Sequence, residues 1–102
     1  MSTPYTNLME AANTYEQRNA LYGDSYLVFG QVMAAMLPSG IELSDERAFN
    51  RFGVLVQCVS KLTRYAANLQ TGGHQDSAHD LCVYAAMLES LTEQDDHEAV
   101  GI

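Results

Sequence analysis

Apolar positions in this chain recur at helical spacing in four stretches, and nowhere alternate as a half-buried strand would. The clearest stretch follows Ser44. Phe49, Phe52, Leu55, Val56, Val59, Leu62, Thr63 and Ala66 fall at i, i+3, i+4 and i+7 intervals, and only Gly53 interrupts the helix formers between Asp45 and Asn68. This spacing predicts a helix of about 24 residues, roughly 36 Å long. Ser44 is placed to cap it, with Asp45 and Glu46 in the first turn, where the positive end of the helix dipole favours acids.

Three shorter patterns surround it. Leu8, Ala11, Ala12, Tyr15 and Leu21 give the stretch from Asn7 to Leu21 one moderately apolar face, with Pro4 suited to a first turn ahead of it. Tyr22-Gly23-Asp24 ends that helix: Gly23 suits a left-handed turn and Asp24 suits the N-cap of the next. The second helix, Ser25 to about Leu37, is apolar almost all round through Leu27, Val28, Phe29, Val32, Met33 and Met36. A helix of that kind is covered on several sides, which in a small chain predicts a homo-oligomer, most simply a dimer with the second and third helices in its interface. Pro38-Ser39-Gly40 breaks the pattern. Thr71-Gly72-Gly73 precedes a fourth helix, capped by Asp76 or Ser77, with Leu81, Tyr84, Ala85, Leu88 and Leu91 facing inward. The expected fold is all-α and four-helix bundle-like, completed by oligomerisation, with residues 1–91 as one domain and 92–102 as an acidic, flexible tail.

Charge narrows the partners. The formal net charge is −8, and Glu93, Asp95, Asp96 and Glu98 crowd the last ten residues; without 92–102, nine acids still face five bases. That sign is wrong for gripping a DNA or RNA polymer, yet it permits a small anion held by a few local bases. Cys58 and Cys82 both fall on apolar helix faces and read as buried free thiols of a reducing compartment. No apolar run approaches the ~20 residues that span a bilayer, and no secretory leader is visible. The expectation is a soluble cytoplasmic protein without a membrane partner.

The candidate chemistry gathers where the third helix meets the fourth. Lys61 and Arg64 are the only lysine or arginine after residue 51. With Gln57 and Asn68 they form a polar stripe at i, i+4, i+7 and i+11. Beyond the two glycines, His74, Asp76, His79 and Asp80 follow within seven positions. Three arrangements fit these residues. Lys61, Arg64 and the free N–H groups at the start of the fourth helix can hold a phosphate. Asp76 and Asp80, one helical turn apart, can alternatively share a Mg²⁺. Or Asp76 is a cap and Asp80 an ion-pair partner of Lys61 or Arg64. Zinc through the histidines lacks a third ligand. The ligand-binding set is Lys61, Arg64, Asn68, His74, Asp76 and Asp80, flanked by Tyr22 and Tyr84, while Tyr15 and Arg18 are alternative ligand-facing residues of the first helix. No phosphate loop, nucleophile elbow or dinucleotide glycine pattern is present.

The order Tyr22-Gly23-Asp24, Phe29, Lys61-Leu62-Thr63-Arg64, His74-Gln75-Asp76-Ser77, Asp80-Leu81 and Tyr84-Ala85 resembles that of a group of small phage-encoded proteins. That group is in turn similar to a reduced MazG-type all-α nucleotide pyrophosphohydrolase, and the resemblance spans about residues 17–91. It implies MazG-like helical hairpins, assembly into homodimers or larger homo-oligomers, and a pocket for a nucleotide-like small molecule. Such hydrolases bind Mg²⁺ through Glu-Glu-x-x-Glu on one helix and Glu-x-x-Asp on the next. Here Val56-Gln57-Cys58-Val59-Ser60-Lys61 stands in place of the first motif, and only Asp80, with Asp76, matches the second. The resemblance therefore implies a protein that captures a phosphate-bearing nucleotide without catalysis or a resident cofactor, for instance a host immune signalling nucleotide in an infected cell. The alternatives are a Mg-dependent pyrophosphohydrolase and a protein-interaction module.

Overall fold

A computed structural model describes the backbone of residues 2–100 and the side chains of residues 2–95. The described residues form four α-helices: α1 (Pro4–Tyr22), α2 (Ser25–Met36), α3 (Glu46–Ala67) and α4 (Gln75–Val100), with a short 3₁₀ turn at Leu69–Thr71. No strand occurs among them, and no helix is long and apolar enough to cross a membrane.

The strong amphipathic stripe of α3 makes it the element on which the others pack. α4 lies along it, α2 packs on its flank, and α1 touches it only lightly. Two ion pairs show that α3 and α4 run antiparallel: Lys61 pairs with Asp80, and Arg51, further back on α3, pairs with Asp95, further along α4. Of the α3 stripe, Val59 and Thr63 are buried beside Cys58, while Phe49, Leu62 and Ala66 stay exposed.

Local signals explain the helix ends. Thr3 and Thr6 form a reciprocal capping box around Pro4: the Thr6 N–H donates to Thr3 Oγ1 (3.1 Å), and the Thr3 N–H to Thr6 Oγ1 (2.8 Å). α3 is capped by Asp45 rather than Ser44, since Asp45 Oδ1 accepts the Ala48 N–H at 2.8 Å. Asp24 stands at the N-cap of α2, but its side chain does not cap; Oδ1 accepts from Asn19 Nδ2 at 2.9 Å instead. The start of α4 departs most from expectation. Neither Asp76 nor Ser77 caps it; the Ser77 N–H donates to His74 Nδ1 (3.2 Å), so the imidazole takes the capping role.

α4 also outruns the boundary expected at Leu91. It continues helical to Val100, and Asp95 is anchored by Arg51 and, at 3.8 Å, by Arg47 Nε. These pairs tie the acidic stretch to α3 at Asp95. The flexible tail expected beyond position 100 lies outside the described residues. Cys58 is buried as expected, but Cys82 is exposed, because α4 turns that face to solvent.

The packing is open. Among the described residues, the buried apolar side chains are Cys58 and Val59, joined by the polar Thr63 and Ser77. The chain exposes 7785 Å², whereas a folded monomer of 11.2 kDa is expected to expose about 5,700 Å². Its radius of gyration is 17.4 Å, against about 13 Å for a compact domain of this length. α1 has no buried residue, because its Ala-, Asn- and Thr-rich face offers α3 little to grip.

Candidate functional site

The end of α1, the turn into α2 and the last third of α3 enclose a cavity of about 530 Å³. Tyr15, Arg18 and Tyr22 project from one face of α1, spaced at three to four residues. Tyr26 enters from α2 and Arg64 from α3. The corner between α1 and α2 is fixed by Gly23, whose φ of +61° favours glycine, and by Asn19. Asn19 Nδ2 donates to the Gly23 carbonyl (3.2 Å) and to Asp24 Oδ1 (2.9 Å), while the Asn19 carbonyl accepts the Gly23 N–H (2.7 Å). This fixes the directions in which Tyr22 and Tyr26 leave the corner.

The Arg64 guanidinium carbon stands 5.0 Å from the centroid of the Tyr22 ring. The His74 ring meets Tyr22 edge-on at 5.1 Å. Tyr22 is thus held by a cation and by a helix cap. Hydrogen bonding with the Tyr26 phenol, then Coulombic interaction with it and, to a smaller extent, desolvation and the Asp24 charge, raise the Tyr15 hydroxyl above its ordinary pKa. A second cavity of about 270 Å³ adjoins the first and shares Ser25, Tyr26 and Arg64 with it.

The electrostatics single out this pocket. The chain has five lysines and arginines. Arg47 and Arg51 pair with Asp95, and Lys61 pairs with Asp80 at 3.8 Å. Among the described residues, Arg18 and Arg64 have no carboxylate partner, and both line the pocket, which contains no acidic side chain. In a chain of net charge −8, two arginines therefore share one pocket, with the Asp24 carboxylate, bonded to the lining residue Asn19, as the neighbouring acid.

The residues expected from sequence divide between two faces of α3. Tyr22 and Arg64 come together in the pocket lining, and His74, which does not line it, meets the Tyr22 ring. Lys61, Asp80 and Tyr84 come together on the side facing α4, with Lys61 Nζ 5.9 Å from the Tyr84 centroid. Lys61 and Arg64 are three residues apart, so their side chains diverge by about 60° around the axis, enough to separate them when a neighbour packs on each side. Asn68 organises the turn: its carbonyl accepts the Thr71 and Gly73 N–H groups, and its side chain donates to the Arg64 carbonyl. Asp76 sits exposed in the first turn of α4.

Two expected chemistries meet specific obstacles. The Ser77 N–H at the start of α4 is already satisfied by His74 Nδ1, with Ser77 Oγ a further 2.6 Å contact. The Asp76 and Asp80 pair does not fit Mg²⁺, because the Lys61 ammonium occupies the charge position beside Asp80. Among the described residues, no three His, Cys, Asp or Glu side chains converge as a metal site requires.

Tyr15 and Arg18, named from sequence only as alternatives, are central to the pocket; Tyr26 and Asn19 were missed. No local signal marks Tyr26, since it reads as one apolar position among many on α2. No protein-family model matches the chain, and no curated protein or solved structure is detectably similar to it.

Proposed function

We propose that this protein binds a phosphate-bearing nucleotide in the α1–α2–α3 pocket and does not transform it. One observation carries the reading: the two arginines without carboxylate partners among the described residues line one cavity with three tyrosines and no acid. Arginine recognises phosphate through its planar fork, and tyrosine faces accept a base by stacking. A volume of about 530 Å³ lies within the range of small-molecule sites. The resemblance described above adds a biological setting, in which a phage protein keeps a host signalling nucleotide from its receptor, working as a homo-oligomer of MazG-like hairpins. No residue of the pocket has the arrangement of a nucleophile with its base.

The test is calorimetry with ADP, in EDTA and then with Mg²⁺, followed by heat denaturation and chromatography of the released ligand. Binding that survives EDTA, with ADP recovered intact, is the expected result. Recovery of hydrolysed nucleotide only when Mg²⁺ is present would overturn the non-catalytic reading. Absence of binding to ADP, to AMP and to ATP would overturn the nucleotide reading.

A further inference from the structure

Tyr22 brings the end of α1 into the pocket, and its hydroxyl has no hydrogen-bond partner among the described residues. Its ring is met instead by two groups. The Arg64 guanidinium carbon lies 5.0 Å from the ring centroid, and the His74 ring lies at 5.1 Å with 84° between the planes. That separation and angle are those of a favourable edge-to-face pair. α1 buries no residue of its own, so contacts at Tyr22 weigh heavily in where this end of the helix sits.

His74 does not line the pocket, yet its ring cannot turn freely. Nδ1 accepts the Ser77 N–H at 3.2 Å and lies 2.6 Å from Ser77 Oγ, and Ser77 is buried. The backbone around it is fixed as well. The Asn68 carbonyl, at the end of α3, accepts the Gly73 N–H at 2.6 Å, and the His74 carbonyl accepts the Ala78 N–H at 3.1 Å. The cap uses only Nδ1, so the rest of the ring remains to pack on Tyr22. Arg64 and His74 are thus both referred to α3, one from the helix itself and one through the turn that follows it, and both meet the same tyrosine.

We propose that His74 is a positioning residue for the pocket: its ring, held by the α4 cap, keeps the Tyr22 ring beside Arg64 and so sets the wall that α1 gives the cavity. Capping and positioning are separable, because one uses Nδ1 and the other the aromatic ring. Only the consequence for a ligand rests on the proposed function; the placement of Tyr22 does not.

The test uses the full chain and two variants. His74→Asn keeps a side-chain acceptor of the kind favoured at an N-cap but has no ring, whereas His74→Phe keeps a ring but has no acceptor. Thermal melts, hydroxyl-radical labelling of Tyr22 normalised to the exposed Tyr5, and calorimetry with ADP are run on each. His74→Asn is expected to melt close to the wild type, to label several-fold faster at Tyr22, and to bind ADP a few-fold to about tenfold more weakly. His74→Phe is expected to melt about 4–8 °C lower, with Tyr22 labelling and, well below its melt, ADP affinity like the wild type. Wild-type labelling of Tyr22 in His74→Asn, or equal loss of Tyr22 protection in both variants, would overturn the proposal and leave His74 as a cap alone. The expected labelling pattern in a protein that ignores ADP would defeat the ligand reading and leave the positioning role standing. ADP binding that His74→Asn leaves unchanged, together with unchanged labelling, would do the reverse.

Discussion

The guanidinium of Arg64 lies over the ring of Tyr22, 5.0 Å from its centroid, without a carboxylate partner among the described residues. Lys61, one turn earlier on the same helix, is instead engaged by Asp80. The contact with Tyr22 orients Arg64 but leaves its hydrogen-bonding edge available, which is the state a phosphate-binding arginine needs before its ligand arrives.

Arg64→Ala and Lys61→Ala should therefore behave differently. Losing a charge-assisted contact of about 1.5–3 kcal/mol predicts a tenfold to hundredfold weaker affinity for ADP in Arg64→Ala. Its melting temperature should change by only a few degrees. Lys61→Ala should lose about 0.2–1 kcal/mol of stability, the range for a partly exposed ion pair, with little change in affinity. Calorimetry and thermal melts on both variants decide this, and an Arg64→Ala protein that binds ADP like the wild type defeats the pocket.

Gly73 carries a φ of +79°, and a Cβ there would collide with the Tyr65 ring. Gly73→Ala combines backbone strain with a clash and should cost about 1–3 kcal/mol, read as a lower denaturation midpoint at unchanged slope. The double variant Gly73→Ala/Tyr65→Ala removes the clash but not the strain, so it should recover only part of that loss relative to Tyr65→Ala. Full recovery would mean that the left-handed turn contributes nothing.

The two cysteines should separate chemically. Burial pushes the Cys58 thiol above its ordinary pKa, while Cys82 is exposed. At mildly alkaline pH a disulfide reagent should modify one thiol per native chain rapidly and the second only after unfolding. Peptide mapping that places the fast adduct on Cys58 would contradict the burial described here.

The Tyr15–Tyr26 pair predicts a pH dependence of stability. The Tyr26 phenol raises the Tyr15 pKa in the folded chain. Folded protein then holds that proton more tightly than unfolded chain does, so the contribution is fully present below about pH 10 and is lost as pH rises through the folded value. Melting temperature should decline over that window, and Tyr26→Phe should flatten the decline. An identical slope in wild type and Tyr26→Phe would disprove the coupling.

What the chain by itself determines is local. The 3.6-residue stripe from Phe49 to Ala66 and the breaks at Gly23 and Gly72-Gly73 each depend on residues within a turn or two and are visible by spacing, whereas the first helix, read from Asn7, starts at Pro4 because Thr3 and Thr6 cap it. Even locally, near-equivalent caps compete: Asp45 prevails over the adjacent Ser44, and His74 over Asp76 and Ser77. The site lay beyond that reach. Lys61 and Arg64 share a polar stripe in sequence, yet α4 on one side of α3 and the α1–α2 corner on the other draw them apart. Tyr26 becomes a pocket residue only because Gly23 and Asn19 turn α2 back toward α3. Arg51 pairs across 44 positions with Asp95 and so joins α3 to the far part of α4. Contacts at such separations leave no period in the chain, since their partners are chosen by how whole helix faces pack, and only the tertiary structure decides that.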